Sequence, residues 1–291
     1  MKQGVKQGMK IVVAKRAGFC FGVKRAIDIA FDVAKKSHGG VYTLGPIIHN
    51  PQVVEKLMAE GVTPVNDIKE LKNKNVKAVI IRTHGVPIQV MKKLTEAGYK
   101  TIDATCPFVK KAQHYAKLLR EEGYKVVILG DRDHPEVKGL MSYAGRRVVV
   151  VRSGKDFPTL KGKVGIVVQT TQQIETLKEL LAVAVERTKE LKVYNTICNS
   201  TALRLKETEE MAKTADVMVI VGGRNSANTT QLANLCSSLS VPTYHIETAS
   251  ELKEEWFSKA KKVGITAGAS TPDWIIKDVK RKIEGYRRKA G

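Results

Sequence analysis

The sequence predicts an α/β protein built from three small domains with mainly parallel sheets, set around a pseudo-threefold axis that aims at one shared central site. Two repeating features predict it. Cys20, Cys106 and Cys198 recur at nearly equal intervals, each after a short β-prone run (11–13, 100–102 and 191–197) and before an amphipathic helical pattern. A connector of similar make-up recurs at 66–77, 153–163 and 248–262, before the third strand of each third, which marks an internal repeat. Alternating strands and helices imply parallel sheets with right-handed crossovers, whose ligands bind beyond the carboxyl ends of the strands. The domains expected are 9–98, 99–190 and 191–280, with 281–291 as a C-terminal tail. Residues 1–8, with their repeated Lys-Gln-Gly ahead of a second methionine, Met9, read as a leader or an upstream start.

Each third is expected to hold three strand, turn and helix units. In the first, the turns carry Cys20 (Ala17-Gly18-Phe19-Cys20-Phe21-Gly22), His49 (Pro46-Ile47-Ile48-His49-Asn50-Pro51) and His84 (Arg82-Thr83-His84-Gly85). In the second they carry Cys106 (Asp103-Ala104-Thr105-Cys106-Pro107), His134 (His134-Pro135-Glu136-Val137) and Gln169-Thr170-Thr171. In the third they carry Cys198 (Asn195-Thr196-Ile197-Cys198), Asn225-Ser226-Ala227-Asn228 and Ala267-Gly268-Ala269-Ser270. The order repeats, thiol first and then two polar anchors. Pro51, Pro87, Pro107, Pro135 and Pro272 fall at or near the first helical position, where a missing N–H does no harm, so they mark the helix starts.

Composition narrows the class of protein. With 43% hydrophobic residues the chain buries an ample core, and no stretch approaches the ~18 consecutive apolar residues of a membrane span. A cytoplasmic protein is expected. Four cysteines without close spacing suit a reducing compartment, where thiols bind metal or do chemistry. Cys236, inside a helical pattern over 231–239, reads as a buried structural thiol. The formal charge of +21 lacks the interleaved aromatics or the module that nucleic-acid binding needs. A lysine-rich solvated surface, with a part in recruiting an acidic partner or an anionic substrate, accounts for it better. No Walker loop and no dinucleotide fingerprint is found.

A thiol at a strand-to-helix turn faces the positive end of the helix dipole, which favours thiolate and hence metal ligation or nucleophilic chemistry. Three cysteinates satisfy a four-iron cluster except at one iron, which keeps an open position. Zinc bound by three cysteines and a histidine competes, although structural zinc sites usually show close pairs such as C-x-x-C. On spacing alone, three unrelated buried cysteines compete equally. Helix N-termini converging on a pocket hold phosphate without a Walker loop. His49, His84 and His134 would supplement them as donors, and Ser226, Asn228 and Ser270 would add neutral ones. His38, His114 and His245 lack this placement and read as structural. Glu136, in the first turn of its helix, is the acid/base candidate, with a plain capping carboxylate as the alternative.

With these motifs in order from about Met9 onward, the sequence resembles the 4-hydroxy-3-methylbut-2-enyl diphosphate reductases. The resemblance implies a three-lobed α/β fold and a central [4Fe-4S] cluster held by Cys20, Cys106 and Cys198. It implies a substrate diphosphate gripped by His49, His84, His134, Ser226, Asn228 and Ser270. Thr170 and Glu136, with His134, would serve the hydroxyl end. Two electrons and two protons would then release the hydroxyl as water and yield isopentenyl and dimethylallyl diphosphate, the last step of the non-mevalonate pathway. The family often has a second serine where this chain has Ala227, which leaves only a backbone N–H there for phosphate. The electrons would come from an external ferredoxin or flavodoxin, whose acidic surface suits a basic enzyme. No nucleic-acid or membrane partner is expected.

Overall fold

The computed structural model describes residues 9–48, 50–224 and 226–289. In chain order the elements are β1 (Lys10–Val13), α1 (Phe21–Ser37), β2 (Val41–Leu44), α2 (Pro51–Ala59), β3 (Val62–Val65), β4 (Ala78–Ile81), α3 (Ile88–Glu96) and β5 (Thr101–Asp103). Then follow α4 (Pro107–Glu121), β6 (Lys125–Leu129), α5 (Pro135–Ala144), β7 (Val149–Val151), β8 (Lys163–Val168), α6 (Ile174–Arg187) and β9 (Glu190–Tyr194). The chain ends with α7 (Asn199–Ala212), β10 (Val217–Val221), α8 (Ala227–Ser238), β11 (Thr243–Ile246), β12 (Lys262–Ala267) and α9 (Asp273–Lys289).

These strands form three four-stranded sheets ordered β3-β2-β4-β5, β7-β6-β8-β9 and β11-β10-β12-β1. Every pairing is parallel. The three orders are the same pattern, so the predicted repeat is a repeat of topology. Central strands such as β4 (Ala-Val-Ile-Ile) and β10 (Val-Met-Val-Ile-Val) are buried along their whole length, as strands covered by helices on both faces must be.

Strand pairing divides the chain at different points from the cysteine spacing. The strand just before each thiol closes the preceding sheet: β5 pairs with β4, β9 with β8, and β1 with β12. By sheet membership the boundaries therefore fall after the thiols' strands, and the N-terminal strand completes the last sheet. By compactness the described residues form two units, one within 9–21 and 199–289, the other within 22–198. The stretch 281–289, read as tail from the sequence, continues α9. The proposed leader at 1–8 lies outside the described residues.

Three edge strands, β3, β7 and β11, bear no site turn and were not among the nine units read from the sequence. Pro64 inside β3 weakens its strand signal and is tolerated because that strand lies at an edge. Each edge strand leads into a short 3-10 turn closed by a capping box: Asp67 with Glu70, Ser153 with Asp156, and Thr248 with Glu251. The recurring connectors are thus one local motif used three times.

Within the second unit, Val127, Leu129, Ile166 and Val168 pack on Leu177 and Leu180 of α6. On the other face of the same sheet, Ile128 and Val167 pack on Ala116 and Leu119 of α4 and on Val137 and Leu140 of α5. In the first unit, Val219, Val221 and Ile265 meet Ile276, Val279 and Ile283 of α9. Some of the lysines are paired on solvated helix faces, such as Lys36 with Asp32 and Lys213 with Glu209 at i,i+4 spacing.

Candidate active site

Parallel strands end together, so the turns after them gather the chemistry. In the second unit those turns are knitted by backbone bonds. Cys106 is the N-cap of α4 ahead of Pro107, and its N–H donates to the Thr83 carbonyl at 3.0 Å, beside His84. Cys198 directly precedes α7, and its N–H donates to the Thr170 carbonyl at 2.8 Å. The His84 and His134 rings meet edge to face with centroids 5.4 Å apart. Six of the predicted site residues are therefore brought together here: His84, Cys106, His134, Glu136, Thr170 and Cys198.

Glu136 is the one carboxylic acid of this group. Pro135 and the His134 cap fix it in the first turn of α5, where it is 1% exposed. Its carboxylate accepts the Thr170 N–H at 2.7 Å and the Thr170 hydroxyl at 2.8 Å. Burial pushes its pKa up to about 7, and the two Thr170 bonds pull against that rise without cancelling it. A carboxyl so placed holds comparable acid and base populations near neutrality, as a proton donor needs.

His134 is the side-chain cap of α5: its Nδ1 accepts the Glu136 N–H at 3.2 Å. An accepting Nδ1 carries no proton, which leaves Nε2 as the donor nitrogen of the ring. The turn bearing His134 is held in turn by Gln169, whose Oε1 accepts the Asp131 N–H at 2.9 Å while its Nε2 donates to Thr171. Gln169 stood in a quoted motif, but its bracing role was not legible there.

In the first unit, Cys20 ends the turn between β1 and α1, and its N–H donates to the Ala269 carbonyl at 3.4 Å, one residue before Ser270. Ser226 is the N-cap of α8; its Oγ accepts the Thr229 N–H at 3.4 Å, which leaves its own hydrogen for another acceptor. Ala227 and Asn228 lie in the first turn of α8. His49 and Asn225 lie outside the described residues.

Among the described residues no disulfide forms; Cys20, Cys106 and Cys198 are half-buried, whereas Cys236, expected to be a buried thiol, is fully buried in α8, where burial pushes its pKa to about 11. Among the described residues no three His, Cys, Asp or Glu side chains gather closely enough to hold one metal ion. A four-iron cluster makes a different demand, since each thiolate binds its own iron. Gly22, in the first turn of α1, suits that demand: a Cβ there would lie 2.5 Å from Cys106 Sγ, so the glycine clears space at that sulfur. Half-buried reduced thiols at helix starts, one with a cleared space at its sulfur, fit such a group.

The fold and these turns define the class: an α/β enzyme that works at the carboxyl ends of parallel strands. The LytB protein family model matches residues 11–284. The 4-hydroxy-3-methylbut-2-enyl diphosphate reductase of Geobacter sulfurreducens is 50% identical over 97% of this chain and 99% of its own length. That of Citrifermentans bemidjiense is 50% identical over 93% and 95%. A solved structure of (E)-4-hydroxy-3-methyl-but-2-enyl diphosphate reductase, described as the terminal enzyme of the non-mevalonate pathway, matches with a TM-score of 0.77 and 46% identity, covering 95% of this chain and 99% of that one. The E-1-hydroxy-2-methyl-but-2-enyl-4-diphosphate reductase from Plasmodium falciparum, at 24% identity, shares the fold with a TM-score of 0.81, covering 95% of this chain and 87% of that one. The chain belongs to this LytB family, the 4-hydroxy-3-methylbut-2-enyl diphosphate reductases.

Proposed function

We infer that the chain removes the hydroxyl of (E)-4-hydroxy-3-methylbut-2-enyl diphosphate as water, using two electrons and two protons, to give isopentenyl and dimethylallyl diphosphate. Family membership over nearly the whole chain supports the reaction. The single structural observation that carries the chemistry is the buried Glu136 carboxyl, with a pKa near 7 and two bonds to Thr170. Hydroxide is a poor leaving group and needs a proton in the transition state. Glu136 in its acid form supplies that proton. Thr170, whose hydroxyl already bonds Glu136, passes or orients it. His134, through its Nε2–H, serves both this end and the diphosphate.

We propose that Cys20, Cys106 and Cys198 hold a [4Fe-4S] cluster. When bound, that group would relay the external donor's electrons and offer a Lewis-acidic iron without a protein ligand. The diphosphate is assigned to His49, His84 and His134 and to the neutral donors Ser226, Asn228 and Ser270. At Ala227 only the backbone N–H at the start of α8 contributes, aided by the helix dipole. An external ferredoxin or flavodoxin, attracted by the net charge of +21, delivers the electrons. Among the described residues no helix is long and apolar enough to cross a membrane.

Anaerobic reconstitution with iron and sulfide tests the reading. The expected product is a brown protein that, with a chemical reductant, converts the allylic alcohol diphosphate into the two isomeric products. A chain that stays colourless and inactive after reconstitution overturns it.

A further inference from the structure

The turn that carries Cys20 is gripped from one side by a single face of α7. Arg204 is 4% exposed, and among the described residues its hydrogen-bond partners are backbone carbonyls. Its Nη1 donates to the carbonyls of Arg16 and, at 2.8 Å, of Ala267, and its Nη2 donates to the Gly18 carbonyl at 2.9 Å. One turn further along, Glu207 accepts the N–H groups of Lys15 at 2.7 Å and Arg16 at 2.9 Å. Side chains at i and i+3 share a helix face, so cation and anion hold opposite poles of one backbone segment. Gly18 completes the turn at φ +89, a left-handed conformation that glycine adopts without strain.

The second unit repeats the device more loosely. Arg25 of α1 donates to the carbonyls of Thr105 at 3.3 Å and Asp103 at 3.5 Å, in the turn that carries Cys106. Near the third thiol the brace is aromatic: Tyr115 of α4 stacks on Tyr194 with centroids 3.9 Å apart, ahead of the turn to Cys198. Each brace comes from the helix that follows one thiol and grips the approach to the next in cyclic order: α7 to Cys20, α1 to Cys106, α4 to Cys198.

We propose that Arg204 is a positioning residue that sets the Cys20 thiol and the Ser270 donor as one body, by binding carbonyls from both turns at once. The Cys20 N–H to Ala269 bond joins the same two turns, and a planar fork is the side chain suited to satisfying three carbonyls from a buried position. The inference rests on the proposed cluster and diphosphate roles of those turns. It adds that thiol placement and diphosphate binding are coupled through one side chain that touches neither ligand.

Arg204→Gln and Arg204→Lys test it in two arms. In the metal-free protein, amide exchange in peptides covering 15–20 and 267–271 is expected to quicken about tenfold in Arg204→Gln, with β10 unchanged. Arg204→Lys is expected to recover part of that loss. In the reconstituted protein, the electron paramagnetic resonance spectrum of the reduced cluster is expected to shift and KM for the diphosphate to rise together, while the activity limb set by Glu136 keeps its pH. Exchange identical to wild type, or quickened exchange with an unchanged spectrum and KM, overturns the proposal. Failure of the wild-type chain to take up a cluster counts against the proposed function instead, and the exchange arm still decides whether Arg204 joins the two turns. Should Arg204→Gln not fold, Arg204→Lys carries both arms, and wild-type behaviour in both refutes the role.

Discussion

Replacing Glu136 by Gln removes one titrating group and little else, because the amide has the same shape and its oxygen still accepts one Thr170 bond. In the wild-type chain the carboxyl is 1% exposed and its pKa rises from the usual 4.5 to about 7. Between those two values the folded chain binds more protons than the unfolded one, so stability falls as pH rises. The contribution is fully present below about pH 4.5 and is gone above about pH 7. At 1.36 kcal/mol per pH unit this displacement amounts to about 3 kcal/mol. Urea unfolding of reduced, metal-free protein at pH 5 to 8 reads most of it: the stability of wild type relative to Glu136→Gln is expected to drop by about 2 to 3 kcal/mol across that range. A difference that stays level to within about 0.5 kcal/mol refutes the buried-acid argument. Turnover supplies an independent reading, since wild-type activity should decline above pH 7 as the acid form is lost. Glu136→Gln should lower turnover by roughly two to four orders of magnitude with KM little changed.

Gly22→Ala brings a Cβ to 2.5 Å from Cys106 Sγ. Iron bound per chain after reconstitution should fall while thermal stability changes little, because the roughly 1 kcal/mol that alanine gains in the helix offsets much of the cost of displacing the sulfur. Serine at position 20, 106 or 198 should abolish the visible absorbance of the reconstituted protein, whereas Cys236→Ser should keep it; equal loss from all four would contradict the assignment. Thr170→Val deletes the hydroxyl bond to Glu136 and keeps the backbone one. The alkaline limb of the pH–rate profile should therefore move above 7, and a limb that stays in place would remove the hydroxyl from the tuning of Glu136.

Much of this was legible in the residues alone. Proline at N1 marks helix starts locally, and Pro51, Pro107 and Pro135 open α2, α4 and α5 as expected. The turn motifs name the thiols, the histidines and the acid because those residue types do chemistry that few others do. Cys236 was separable from the other thiols by its place inside a helical pattern. The braces were not legible: Arg204, Arg25 and Gln169 look like ordinary helix or turn residues until the carbonyls and amides they bind are seen.

The order of strands, turns and helices, and the identity of the chemical groups, follow from sequence because propensity, periodicity and side-chain type are local properties. Which sheet each strand joins, and what surrounds each group, came only from the tertiary structure. β1 completes a sheet with β12 across most of the chain's length, and Glu136 acquires its raised pKa from burial that residues distant in sequence create. Hydrogen-bond pairing and desolvation depend on neighbours in space, and a linear string of residues does not specify them.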